Sequence, residues 1–344
     1  MRKVLIPVAA STLFAAFAIA QVPRYRTANL GRLGGTSSNP PFMTNTAAPH
    51  DNDAATKVFT LDPSTHGNPE GVAFDPASRS FFVGATGDGT IYRGTLDSST
   101  AGVFIPGAPG MEAVGLKVAG GKLYVAGGFS GAVRVYEIAT KKLVASFETG
   151  SGGMLNDLVV TQTGDVFVTD SFRPILWRIT AAKVAAGGGT PEGIPVDPEI
   201  GYLYSPDPFN LNGIVALNGG RRLIVGQSNT GKLFRVDFKE GAPFGREIRE
   251  IAVDPVYSDG LLLDKGYLIA VTWAPAETLA FIKLDGKVER GTVVEHRSDP
   301  TLRGPSTVAR ARNFYLVVNA DFATSTTPFT VTGLPRNDDE DDNW

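Results

Sequence analysis

Six polar residues head similar segments of this chain: Glu70, Glu112, Asn156, Asn212, Asp259 and Ser306, spaced at intervals of 42, 44, 56, 47 and 47 residues. Five of the six offer a carboxylate or carboxamide oxygen, the hard donor that divalent cations such as calcium take. Glu70 and Asp259 carry two negative charges between them and Asn156 and Asn212 carry none, which matches one divalent ion. Glu112 would add a third charge, so it is expected farther out, beside the ligands or facing a substrate. The same residues have a plainer reading, in which each caps its own turn or hydrogen-bonds to its neighbours. Spacing alone leaves both open.

The elements that position these heads recur with them. Each head starts an apolar run, followed by a Gly-containing turn, a second run, and a third with an aromatic residue. The first unit is Glu70–Asp75, Phe81–Ala85 and Thr90–Arg93; the third is Asn156–Val160, Asp165–Thr169 and Ile175–Arg178. Three or four strands every 45 residues or so is the period of a propeller blade. A β-sandwich would not place one polar residue at the head of every unit. The expected fold is therefore all-β: a six-bladed β-propeller with a central channel, spanning 57–333. Fourth strands are read at Leu143–Phe147 and Glu250–Val253. Lys57–Leu61 is expected to pair beside Phe329–Val331, so that both ends of the chain close one blade.

Composition excludes several chemistries. Among 344 residues there are 40 Gly, three His and no Cys, which removes thiolate metal sites, disulfides and Cys nucleophiles and leaves little for a multi-His zinc site. The formal net charge is −3, with five acids in 337–344 and no basic stripe, so nucleic acid is not an expected partner. Arg2 and Lys3 precede the apolar run Val4–Ile19 and a small-residue site at Ala18-Ile19-Ala20, which reads as a signal peptide over 1–20. A secreted protein follows, with no membrane anchor after cleavage. Residues 21–56 read as an irregular arm and 334–344 as an acidic disordered tail. Ser228 lacks nucleophile-elbow spacing, and the Gly84–Gly89 turn joins two strands, so neither a serine hydrolase nor a phosphate loop is expected.

Glu70-Gly71-Val72-Ala73-Phe74-Asp75, Asn156-Asp157, Asn212-Gly213-Ile214 and Asp259-Gly260-Leu261, in this order, resemble the senescence marker protein/gluconolactonase and luciferin-regenerating-enzyme family. That family comprises six-bladed propellers related to paraoxonases and strictosidine synthase. The resemblance implies that Glu70, Asn156, Asn212 and Asp259 hold one divalent cation, Ca²⁺ first among the choices. It implies a hydrolase acting on a small-molecule lactone or related ester, the cation polarising the carbonyl and Asp259 acting as general base. Glu112 is the second catalytic candidate, orienting the leaving group. Where gluconolactonase-like members carry an Arg two residues before the Asn of the Asn-Asp pair, this chain has Met154, which implies a more apolar substrate. The alternative is a non-catalytic propeller that binds a ligand or protein and uses the metal structurally.

Overall fold

The computed structural model describes residues 55–239 and 245–336; the expected leader, the arm up to residue 54 and the acids of 337–344 lie outside them. Blade 1 consists of β2 (Pro69–Asp75), β3 (Ser80–Ala85), β4 (Ile91–Thr95) and β5 (Thr100–Ile105). Blade 2 consists of β6 (Leu116–Ala119), β7 (Lys122–Ala126), β8 (Ala132–Glu137) and β9 (Leu143–Glu148). Blade 3 has β10 (Leu155–Val160), β11 (Val166–Asp170), β12 (Ile175–Ile179) and β13 (Glu192–Pro195), with the short helix α1 (Ala181–Ala186) before its last strand. Blade 4 has β14 (Leu211–Leu217), β15 (Arg222–Gln227), β16 (Lys232–Phe238) and β17 (Arg246–Ile251). Blade 5 has β18 (Tyr257–Asp264), β19 (Tyr267–Ala274), β20 (Thr278–Leu284) and β21 (Gly291–Arg297). Blade 6 is completed from both ends of the chain: β22 (Pro305–Ala311), β23 (Phe314–Asn319) and β24 (Thr330–Pro335) are joined by β1 (Lys57–Asp62).

The closing strand behaves as its sequence implies. β1 pairs antiparallel with β24, Phe59 opposite Val331 and Thr60 opposite Thr330. It also runs parallel to β5, Thr60 opposite Thr100, so blades 6 and 1 share one continuous sheet. Two expected boundaries move. The fourth strand of blade 4 is Arg246–Ile251, earlier than Glu250–Val253, because Ile248 and Ile251 are the residues that reach the core. The last strand runs past 333 to Pro335, and Arg336 is held by the buried carboxylate of Asp264 at 2.9 Å. Among the described residues, no helix is long and apolar enough to cross a membrane.

Apolar packing fills the gaps between neighbouring blades. One cluster joins Phe82, Ile91 and Phe104 of blade 1 to Leu116, Leu123 and Val125 of blade 2; another joins Phe167 and Leu176 of blade 3 to Leu223 and Phe234 of blade 4. The pair that closes the ring joins Phe59 and Val331 of blade 6 to Phe81 and Tyr92 of blade 1. The inner strands β2, β6, β10, β14, β18 and β22 pack on one another in turn, and β22 returns to β2. That ring of inner strands is the axis on which the heads stand.

Phe59 is 1% exposed and meets Phe81 edge-on at 5.0 Å, bridging closing strand and first blade. Phe59→Ala should cost about 3–5 kcal/mol in denaturant unfolding. Val58→Ala, at a neighbouring exposed position, should stay within about 0.5 kcal/mol. Equal small losses would mean that the clasp does not carry the ring.

Candidate metal centre

The same irregularity opens five of the six inner strands. Pairing jumps from Pro69 to Val72 while the partner strand advances only from Ala85 to Val83, and the jump recurs at Leu155/Leu158, Leu211/Ile214, Ser258/Leu261 and Pro305/Val308. One extra residue in each strand forms a bulge, which re-aims a side chain out of the regular alternation. The bulged positions are Glu70, Asn156, Asn212, Asp259 and Ser306, each with the residue that follows it. Glycine follows Glu70 and Asn212 because the next inner strand comes too close for a side chain. A Cβ at Gly71 would stand 2.0 Å from the Val114 carbonyl oxygen, and one at Gly213 2.4 Å from that of Asp259.

The four predicted ligands share a second property. Glu70 Oε2, Asn156 Oδ1, Asn212 Oδ1 and Asp259 Oδ1 are each buried with no hydrogen-bond partner among the described residues. Buried polar atoms are ordinarily paired, so four orphaned oxygens at equivalent positions of blades 1, 3, 4 and 5 call for a common partner. Oxygen donors, two of them charged, fit a hard divalent cation. Among the described residues no group of three or more His, Cys, Asp or Glu stands together. The fit therefore rests on the two amides as much as on the two carboxylates.

Electrostatics point the same way. Burial pushes the Glu70 carboxyl well above the usual carboxylate range, the charges of Asp259 and Asp157 push it further, and Lys117 pulls it back. Burial also raises the Asp259 carboxyl to about 7, against a lowering hydrogen bond from the Asn212 side chain. Asp259 keeps part of its surface open although its Oδ1 is enclosed. Two buried carboxyl groups that resist ionisation in each other's presence would both be favoured in their charged forms by a bound cation.

A supporting layer fixes the donors. Ser171 Oγ accepts from Asn156 Nδ2 at 3.0 Å and donates to the Leu211 carbonyl at 2.7 Å, turning the Asn156 oxygen the other way. Thr169 Oγ1 donates to the Asn212 carbonyl at 2.7 Å, and Ser306 Oγ to the Glu70 carbonyl at 2.7 Å. Asp157 occupies the place that glycine takes in blades 1, 2, 4 and 5; its carboxylate accepts Lys117 Nζ at 3.0 Å and the Leu158 amide at 2.8 Å. Of these, Ser171, Thr169 and Lys117 were not singled out from the sequence, and Asp157 entered only as the second member of the Asn-Asp pair. The departure from Gly at position 157 is the one signal that could have flagged any of them.

Glu112 differs from its expected place. In blade 2 the residue equivalent to the other heads is Val114, since Leu116 pairs with Val125 as Val72 pairs with Val83. Glu112 lies two residues earlier, outside the strand, and its carboxylate accepts the backbone amides of Phe129 and Ser130. It secures the β7–β8 turn and does not join the four orphaned oxygens. Met154 is 2% exposed, its amide bound to Asp170 Oδ1. His66 pairs with Asp88 at 2.7 Å and leans edge-on against Tyr92.

A cation bound only by the folded ring stabilises it by RT ln(1 + [L]/Kd), about 2.7 kcal/mol at a hundredfold excess over Kd. Chelation should lower the Tm and added Ca²⁺ restore it. The pH dependence has a definite sign. With both carboxyls raised, the cation-free fold binds more protons than the unfolded chain, so this contribution is present at acid pH and lost as pH rises from about 4 through about 7. The Ca²⁺-induced rise in Tm should therefore grow between pH 5 and 8; a rise independent of pH would contradict the assignment. Glu70→Gln should weaken Ca²⁺ on the order of a hundredfold by calorimetry, because it removes ligand charge. Glu112→Gln should change it little. Equal losses would bring Glu112 into contact with the ion.

No protein-family profile and no curated protein matches this sequence. Solved structures do match in fold. A calcium-binding regucalcin from Agrobacterium tumefaciens superposes with a TM-score of 0.57 at 17% identity, covering 78% of this chain and 92% of that one. A gluconolactonase from Xanthomonas campestris gives 0.57 at 15%, covering 79% and 87%. The periplasmic gluconolactonase of Pseudomonas aeruginosa gives 0.52 at 17%, covering 78% and 87%. The chain thus has the β-propeller fold of regucalcin and the gluconolactonases.

Proposed function

We propose that this protein is an exported, divalent-cation-dependent hydrolase of a small-molecule lactone or related ester. The observation that carries the reading is the set of four buried, unpartnered oxygens on one axis, one of them belonging to a carboxyl with a pKa of about 7. Glu70, Asn156, Asn212 and Asp259 would hold the cation, with Ca²⁺ favoured by a donor set made entirely of hard oxygens. When bound, such an ion supplies Lewis-acid polarisation of a carbonyl oxygen.

The chain's own groups do the rest. Asp259 is the proton acceptor: a carboxylate with one oxygen enclosed and part of its surface open can take a proton from water attacking the carbonyl carbon. Asn212 orients it through their side-chain hydrogen bond. Glu70 supplies charge, and Asn156, held by Ser171, keeps its oxygen aimed away from that hydroxyl. Glu112 is given no chemical step, since backbone amides engage its carboxylate. Export rests on the apolar run Val4–Ile19 and the site before Gln21. The regucalcin and gluconolactonase likenesses support the choice of calcium and lactone, although one fold hosts many chemistries.

Asp259→Asn, assayed on a lactone panel with cation occupancy verified by calorimetry, should lower kcat on the order of 10²–10⁴-fold. Undiminished hydrolysis would remove Asp259 as the base. Met154 in place of Arg keeps a second reading in view, a propeller in which the ion only locks the blades. Turnover decides: a Ca²⁺-loaded protein that hydrolyses no lactone or ester of the panel belongs to that second reading.

A further inference from the structure

Three phenylalanines from three successive blades meet beside the metal centre. Phe129 follows Gly128, whose backbone pairs in both directions at 3.0 Å with Leu155, the residue before Asn156. Phe172 follows Ser171, the residue that holds the Asn156 side chain. Phe209 precedes Asn210, whose amide donates to the Ser171 carbonyl at 3.1 Å, and stands three positions before Asn212. Their rings form a continuous row: Phe129 to Phe172 at 5.2 Å and 79°, then Phe172 to Phe209 at 5.2 Å and 70°. All three are half-buried, and each stands next to a residue bonded to the Asn156 segment or within three positions of Asn212.

Three ionisable groups near the row have partners, Asp207 among them, its carboxylate accepting the Phe209 amide at 2.9 Å. Glu112 accepts the Phe129 amide, so it acts as a positioning residue for the first ring. Arg173 is bound to Asp170 at 2.7 Å and to the Thr149 carbonyl at 2.9 Å, and lies over Trp177. The segment 196–210, part of the longest repeat interval, brings Phe209 in and is tied back by Asn210 Nδ2 to the Leu203 carbonyl at 2.7 Å. A basic cleft of about 400 Å³ near Arg178 and Arg221 lies by the β10–β11 and β14–β15 turns, at the opposite end of the blades.

Resting on the function proposed above, we infer that the Phe129–Phe172–Phe209 row is the substituent-binding wall of the site, selecting lactones that bear an alkyl or aryl group over polyhydroxylated sugar lactones. Edge-to-face rings offer apolar area and no hydrogen bonds, so a sugar hydroxyl pressed against them loses its water without replacement, while a methylene gains by burial. Each methylene laid on the wall should raise kcat/KM about fourfold until the row is covered.

The test uses δ-lactones of one ring size carrying hydrogen, methyl, propyl or pentyl at the ring carbon next to oxygen, with gluconolactone alongside, on the full Ca²⁺-loaded protein. The expected result is a stepwise rise with chain length, gluconolactone at least 100-fold below the pentyl compound, on the order expected for several buried methylenes. Phe172→Ala should cut the pentyl-to-unsubstituted ratio at least about tenfold, through KM, with Ca²⁺ affinity retained; Phe172→Leu should recover part of it. A flat chain-length profile, a preference for gluconolactone, or an unchanged ratio in Phe172→Ala overturns the inference. If the parent hydrolyses no lactone, the hydrolase reading fails on its own, and the wall is tested by saturation-transfer NMR with the pentyl-substituted lactam. Binding lost in Phe172→Ala upholds the wall; no binding, or binding indifferent to the substitution, removes it.

Discussion

The closeness of the six inner strands governs the centre of this molecule. Neighbouring backbones approach until a single methyl group at Gly71 or Gly213 would collide with a carbonyl oxygen. Strands packed so tightly cannot send ordinary side chains into the axis. The bulged residues of five strands stand at its head; Ser306 spends its hydroxyl on the Glu70 carbonyl, and the other four carry buried oxygens with no partner among the described residues. Fold and site are therefore one constraint: the geometry that lets six blades meet also decides which positions can face the channel.

A structure that encloses two carboxyls and two amide oxygens without partners is poorly arranged for stability alone. Desolvation and mutual repulsion both oppose charge on Glu70 and Asp259, and Lys117 relieves only part of it through its place beside Asp157. Replacing these residues with apolar ones of similar volume would be expected to remove that cost. An arrangement of this kind, held in place by the hydrogen bonds of Ser171, Thr169 and Ser306, belongs to a functional site more than to a packed core.

Much of this was legible from residue order. Polar heads before apolar runs gave the blades, and Lys57–Leu61 found its partner in Phe329–Val331 because an unpaired edge had to be closed. Glu112 misled because the equivalent position of blade 2 holds the apolar Val114, so a polar residue two positions early was read in its place. Thr169 and Ser171 lie at the end of a second strand and bond across to blade 4, contacts with no sequence period to betray them. The phenylalanine row was invisible for a similar reason. Its members are separated by 43 and 37 residues and become neighbours only once three loops converge.

The clasp between β1 and β24 has a kinetic meaning. Its two strands lie some 270 residues apart, so the ring cannot lock until the end of the chain has been delivered. Loop closure over that span adds little thermodynamic cost, because the entropy grows only with the logarithm of length. It does make the last pairing the most non-local event of folding, the kind that proceeds slowly. Until then β1 and β24 each present a bare edge, and a nascent chain is open to the wrong partners at the place where the finished ring is seamless.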